Sequence, residues 1–168
     1  VIYFGTFSKV LFPALRLGYV VIPRDLIPAF RAAREAIDIF SPSLVQAALT
    51  DFFKEGHFAR HIRRMRMLYM ERRKTLTDAI VKQLRTKLEI VGAEAGMHLL
   101  ALLPPGTADV AIASRLARMR ISAIPLSSCH LRRASRGGLI LGYSNTDTQQ
   151  IQDGVQRLAQ ALDRKSVV

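Results

Sequence analysis

Between residues 57 and 87 the chain carries Phe58, Ile62, Met65, Tyr69, Leu76, Ile80 and Leu84 at steps of three and four residues or their sums, one continuous apolar stripe. That period is helical. A single amphipathic helix of this length excludes an all-β fold and leaves the flanking segments to supply its cover. Upstream, Val1–Gly5 and Leu17–Ile22 are short apolar runs separated by a turn-like stretch containing Pro13. Neither alternates apolar with polar residues, so both read as strands buried on two faces, as in a parallel α/β sheet. Pro23-Arg24-Asp25 opens a helix to about Ile37, with Leu26, Ile27, Phe30 and Ala33 inward. Ser41 and Ser43 flank Pro42, so a serine cap and a proline near the first turn begin another helix, Leu44 to Lys54, stopped by Gly56.

Downstream, Leu88–Val91 reads as a short strand and Gly96–Leu103 as a stronger one ending in Pro104-Pro105-Gly106. Ala108–Met119 is helical in pattern, Ile121–Ile124 and Gly138–Tyr143 are further strands around a polar loop at Arg132–Gly138, and Asp147 begins a final helix to about Leu162. Three parts follow: residues 1–56, the edge of a large α/β domain; residues 57–87, a long connecting helix; and residues 88–168, a small α+β layer.

Charge sharpens this division. The chain holds 25 Lys and Arg against 13 Asp and Glu, a net +12, which raises the question of nucleic acid. Most of the excess is local: residues 57–87 hold ten basic and two acidic side chains, against six and five before them and nine and six after. Arg60, Arg63, Arg64, Arg66, Arg73 and Lys74 fall mostly off the apolar stripe, as expected for a solvated helix face. There is neither a short helix-turn-helix nor the glycine-punctuated aromatic pattern of RNA-binding sheets, so direct DNA reading by this segment is not expected. A 49% hydrophobic share excludes a disordered tail, no apolar run approaches the ~20 residues that cross a bilayer, and no signal peptide is legible. Cys129 is the single cysteine, which excludes a disulfide framework and fits a soluble, cytoplasmic protein. Because the chain opens on Val1 within an apolar strand, it reads as a fragment whose beginning lies elsewhere.

The chemistry-bearing stretch is Gly5-Thr6-Phe7-Ser8-Lys9, with Arg16 at the start of the next strand. A lysine held beside an ordered strand can offer its amine to a carbonyl. Thr6 and Ser8 add two hydroxyls and Arg16 a planar guanidinium, a set that suits a phosphate dianion. No GxxxxGK[ST] run is present, so a nucleotide P-loop is not indicated.

The run GTFSKVLFPALRLGYVVIP resembles the lysine segment of fold-type I pyridoxal 5′-phosphate (PLP) enzymes, the aspartate aminotransferase superfamily. The resemblance implies that Lys9 forms the internal aldimine and that Thr6, Ser8 and Arg16 bind the cofactor phosphate. SPSLVQAALTDFFKEGHFARHIRRMRMLYMERRKTL, GMHLLALLPPG and GGLILGYSN resemble segments of the MocR subfamily of GntR-type transcription regulators, in which an aminotransferase-like domain follows a winged helix-turn-helix. The likeness spans nearly the whole chain. It implies a fold-type I α/β architecture, second half only: part of the large domain, the connecting helix and the small domain. It also implies a cytoplasmic homodimer that senses PLP with an amine or amino-acid effector and touches DNA only through an N-terminal reading head. A free-standing aminotransferase is the enzyme alternative, and a degenerate domain that only dimerises is the third.

Some expected features are missing. The aspartate that faces the pyridine nitrogen, the stacking aromatic ring and the partner's phosphate contact normally precede this lysine in the family, and none is in this sequence. Ile140 stands where aminotransferases usually carry the arginine for the substrate α-carboxylate. That weakens an ordinary transaminase and leaves a regulator with weak or no turnover untouched. Arg132, Arg133 and Arg136 lie just upstream and read as solvated. His57 and His61, at i and i+4, read as a surface pair with no nearby acidic third ligand, and His98 as a hydrogen-bonded structural histidine. Cys129 and His130 would point to opposite faces of a strand, leaving Cys129 structural. Met65, Met67, Met70 and Tyr69 read as packing on the long helix.

Overall fold

The computed structural model describes residues 1–38, 42–92, 94, 96–132 and 135–163. They fall into two compact units, Val1–Arg64 and Met65–Val168.

In the first unit, β1 (Tyr3–Thr6) and β2 (Gly18–Val21) pair as an antiparallel ribbon with Tyr3 opposite Val21 and Thr6 opposite Gly18. This corrects the parallel, doubly buried reading. A parallel pair needs a crossover of a dozen or more residues, usually helical, whereas the link from Thr6 to Gly18 contains only a 3-10 turn at Pro13–Leu15. Both strands are largely exposed, with Phe4 at 72%. A second 3-10 turn, Arg24–Leu26, leads into α1 (Ile27–Ile37), on which Leu26 and Phe30 are half-buried while Ile27 and Ala33, expected inward, are exposed. Helix α2 spans Ser43–Lys54 behind Pro42, with no side-chain cap. Ser41, the expected cap, lies outside the described residues. Among the described residues nothing before Leu76 is buried.

Helix α3 runs His57–Leu84 without a break, as the stripe requires, and its last three turns bury Leu76, Ala79, Ile80 and Leu84. Phe58, Ile62 and Met65 are half-buried, whereas Met67 and Met70, expected to pack, are exposed.

The second unit is a four-stranded antiparallel sheet in the order β3 (Glu89–Val91), β4 (His98–Leu102), β6 (Gly138–Gly142), β5 (Ile124–Pro125), with α4 (Asp109–Arg118) and α5 (Thr148–Asp163). Alternation puts Leu99, Ala101, Leu139 and Leu141 on one buried face, where Leu99 pairs with Leu141 and Ala101 with Leu139. They join Leu116, Val155, Leu158 and the end of α3 in one core. The opposite face carries Leu100, Ile140 and Ile124 in a cross-strand row. Strand β5 is shorter than expected because Ile121 belongs to the end of α4. Its amide donates to the Leu116 carbonyl while Arg120, at φ 58°, donates to Ala117, which is a Schellman closure with arginine in the left-handed position. At α5 the expected Asp147 start is present: the Asp147 side chain accepts from the Gln150 amide and the Gln150 side chain from the Asp147 amide, a reciprocal capping box.

Candidate functional site

The ribbon places the lysine loop. Gly5 lies opposite Tyr19, whose ring occupies the space a Cβ on Gly5 would need, only 2.2 Å away. Gly18 approaches so closely that its Cβ would sit 2.8 Å from the Gly5 carbonyl oxygen. Gly5 thus makes room for the Tyr19 ring and Gly18 for close approach of the strands, and the ring is flanked by Tyr3 and Phe7 at 6.0 and 5.5 Å between centroids. A hydrogen bond with Tyr3, reinforced by charge repulsion between the two phenols, pushes the Tyr19 phenol pKa above its ordinary value.

Past Thr6 the strand becomes a tight turn. The Phe7 amide donates to the Leu17 carbonyl at 3.1 Å, and the Leu11 amide reaches back to the Phe7 carbonyl at 2.8 Å, closing one helical turn around Lys9. Thr6 and Ser8 are brought together: the Ser8 amide donates to Thr6 Oγ1 at 3.2 Å, and Thr6 Oγ1 donates to Ser8 Oγ at 3.1 Å. Thr6 Oγ1 also lies 3.5 Å from the Leu17 carbonyl, a second acceptor for its proton, so the pair is tied to the neighbouring strand as well. Arg16 follows the Pro13–Leu15 turn in the left-handed region, φ 49° and ψ 35°, an uncommon conformation for a residue with a side chain. Its neighbour Leu17 is the residue that meets Phe7, so pairing of the ribbon carries Arg16 to the lysine loop. Lys9 and Arg16 are exposed, and among the described residues neither side chain is engaged in a hydrogen bond or ion pair.

A cleft of about 420 Å³ opens within this unit, lined by Phe7, Arg16, Gln46, Thr50 and Phe53, with the Arg34–Asp38 ion pair at 2.9 Å. Lys9, Thr6 and Ser8 are not among its lining residues. The lysine loop, with its paired hydroxyls and uncompensated cations, is the better chemical candidate. Two hydroxyls, a guanidinium and a primary amine on adjacent backbone match a phosphate-bearing aldehyde, so the residues present fit PLP.

The other candidates separate from this site. His57 Nε2 meets the Glu55 carboxylate at 3.0 Å while Arg60 donates to its Nδ1 at 3.4 Å, so an acidic neighbour does exist two residues away, contrary to the sequence reading. Among the described residues no group of three potential metal ligands forms. His61 leaves the pair and meets the Val10 carbonyl at 2.9 Å. His98 is exposed at the start of β4 and, among the described residues, its ring makes no hydrogen bond, contrary to the expected hydrogen-bonded structural histidine. Cys129 ends a 3-10 turn, Leu126–Cys129, and is exposed, so the strand argument fails there. Arg136 is held by the Leu103 carbonyl at 2.6 Å and the Glu89 carboxylate at 2.5 Å, rather than solvated. Arg132 is exposed, and Arg133 lies outside the described residues.

Sequence reasoning missed Asp109. It is 3% exposed, and its carboxylate accepts from the Ser127 hydroxyl at 2.6 Å, the Ser127 amide at 2.9 Å and the Gly138 amide at 3.2 Å. Burial pushes its pKa up, but the hydrogen bonds outweigh that and hold it below the ordinary carboxylate value. It knots α4 to β6 and the Leu126–Cys129 turn, a structural role. An acid opening a helix is a weak signal, and its partners lie 18 and 29 residues away.

The family model for aminotransferase class I and II matches residues 1–158. A probable rhizopine catabolism regulatory protein, MocR, of Rhizobium meliloti is 37% identical over 96% of this chain and 33% of its own length. A 2-aminoadipate transaminase of Thermus thermophilus is 28% identical over 96% of this chain and 41% of its own. Among solved structures, the Thermus thermophilus α-aminoadipate aminotransferase LysN, complexed with N-(5′-phosphopyridoxyl)-L-leucine, superposes with a TM-score of 0.84 at 28% identity, over 96% of this chain and 41% of that one. A Pyrococcus horikoshii kynurenine aminotransferase gives 0.86 at 25% identity, over 99% and 42%. The chain therefore spans about a third of the length of the MocR relative and about two fifths of the enzymes.

Proposed function

Because the chain belongs to the class I and II aminotransferase family, with the α/β fold of fold-type I enzymes, we propose that it is the PLP-holding portion of the effector domain of a MocR-like transcription regulator. In this reading Lys9 supplies the amine that holds the cofactor covalently, and Thr6, Ser8 and Arg16 bind its phosphate. When bound, PLP supplies an electron sink for amine chemistry. This chain's residues anchor and orient the cofactor, and an amine or amino-acid ligand shifts the balance between two conformations of a cytoplasmic homodimer. DNA is contacted by a winged helix-turn-helix outside the present sequence.

One observation carries the regulator over the enzyme. Ile140 sits on β6 between Leu100 and Ile124, an apolar row at the position where the family resemblance puts the α-carboxylate arginine. Arg136, the described arginine that most closely precedes β6 in sequence, is already committed to Glu89 and Leu103. Loss of a charge-paired contact that orients a substrate depresses turnover by orders of magnitude. A sensor needs only different affinities in its two states. Likeness to the 2-aminoadipate transaminase over 96% of the chain favours the alternative, a free-standing aminotransferase. The full-length protein decides between them. With PLP and a panel of amino acids, keto-acid formation should be slow, while binding to its own promoter should change with PLP. Rapid multiple-turnover transamination without promoter binding would reverse the assignment.

A further inference from the structure

We propose that His61 is a positioning residue for Lys9: the first turns of α3 clamp the lysine loop and set where its amine lies. The inference rests on Lys9 being the cofactor-holding amine. A backbone carbonyl can only accept, so the 2.9 Å contact between His61 Nε2 and the Val10 oxygen fixes the proton on Nε2. That bond joins residues 51 apart and lands on the carbonyl of Val10, the residue after Lys9, in the Val10–Leu11 peptide. The leading side of the loop is fixed as well. The Phe7 ring is edge-on to Phe53 of α2 at 5.8 Å and to Phe58 of α3 at 6.4 Å, and those two rings lie 4.3 Å apart. Between these anchors the Leu11 amide closes the turn onto the Phe7 carbonyl. Lys9 therefore sits between a ring packed into the α2–α3 corner and a carbonyl tied to α3, with one residue between it and the first anchor and none between it and the second.

This arrangement does for Lys9 what its own exposed side chain cannot. A lysine stem has four rotatable bonds, so a defined amine position requires at least a defined Cα and peptide plane. His61 holds the carbonyl end of the Val10–Leu11 peptide, whose Leu11 amide is bonded to the Phe7 carbonyl, and so restrains the turn that carries the Lys9 Cα and its Cα–Cβ direction. Nucleophilic attack on a bound aldehyde depends on such placement, whereas phosphate affinity does not. Glutamine carries a donor nitrogen about where histidine carries Nε2. Leucine keeps bulk without a donor, and asparagine keeps polarity but falls short.

The test uses the full-length protein and four variants, Lys9→Ala, His61→Gln, His61→Leu and His61→Asn, each checked for a wild-type circular dichroism spectrum. The rate at which PLP becomes borohydride-trapped on the Lys9 peptide is followed by mass spectrometry, and affinity is measured separately with pyridoxine 5′-phosphate, which has no aldehyde. His61→Leu and His61→Asn should trap about tenfold more slowly with analogue affinity within twofold of wild type, and His61→Gln should recover the rate. Unchanged trapping in His61→Leu and His61→Asn, or an equal loss of analogue affinity, overturns the positioning role. If His61→Leu does not fold, the contrast between His61→Asn and His61→Gln decides alone. A trapped adduct surviving in Lys9→Ala would instead overturn the assignment of Lys9, which separates the two failures.

Discussion

Replacing Lys9 removes an amine, and replacing Arg16 removes a cation; the two act on different steps. In the full-length protein Lys9→Ala should abolish the borohydride-reducible adduct while phosphate-driven affinity partly survives. Arg16→Ala should leave the adduct chemistry intact but weaken PLP affinity by a charge-assisted contact, about 1.5–3 kcal/mol. Equilibrium dialysis with and without reduction distinguishes them, and a reducible adduct in Lys9→Ala would reassign the site. Asp109 gives a test of stability free of any cofactor. Asp109→Asn puts an amide where the carboxylate faces two N–H groups and a hydroxyl, and should cost about 1–3 kcal/mol by denaturant titration. The pH dependence has a fixed sign. Because the folded pKa lies below the unfolded value near 4, the carboxylate's contribution is complete above about pH 4 and is lost as pH falls through the folded value. Wild type should therefore lose stability relative to Asp109→Asn only on the acid side. Parallel curves across that range would remove Asp109 from the account.

At the scale of elements, what the sequence discloses depends on whether the signal is local. The α3 stripe is legible because a period of 3.6 repeats over 28 residues, and the α5 start because Asp147 and Gln150 cap each other within four. The pairing of β1 with β2 is not legible from their apolar runs, since continuous hydrophobicity says only that a strand can be covered, not what runs beside it or in which direction. The motif around Lys9 names candidate residues, but the placement of the Arg16 backbone beside the loop depends on Leu17 meeting Phe7 across the ribbon, which no spacing encodes. The two ribbon glycines test this dependence. In Gly18→Ala the new methyl meets backbone at 2.8 Å and cannot be relieved by a rotamer change, so the strands must part beside Thr6. In Gly5→Ala the methyl meets the end of the Tyr19 ring, which can swing away. PLP affinity of the full-length protein should fall more in Gly18→Ala than in Gly5→Ala. The reverse order would show that the Tyr19 ring, rather than strand spacing, supports the loop.

At the scale of the molecule, the two units differ in what holds them together. Every buried side chain among the described residues lies at Leu76 or beyond, in one core whose strands and helices bury Leu99, Leu103, Leu116, Leu139 and Tyr143 almost completely. Tyr143 is also tied by its hydroxyl to the Gly96 carbonyl at 2.6 Å, and burial raises its pKa against the opposing influence of Arg73. Each fully buried leucine contributes about 1.5–3 kcal/mol relative to exposure, which can offset the entropy of ordering a segment. The described residues of 1–64 have ring contacts and turns but no buried side chain, and Phe4 and Val21 leave apolar surface on a ribbon that, among the described residues, has only two strands. The 168-residue chain alone should therefore open non-uniformly. Hydrogen exchange should leave amides of α3 after Leu76, of β4, β6 and α5 protected, while those of β1, β2, α1 and α2 exchange at rates close to the unstructured limit. Limited proteolysis should cut within residues 1–64 first. The open ribbon should also cause self-association that rises with protein concentration, and PLP titrated into this chain should give no more than weak binding, because a loop without a stable scaffold cannot hold its amine in place. Uniform protection across both units, or a tight and saturable absorption band with PLP, would show that the ribbon and its helices are stabilised by interactions that burial does not register.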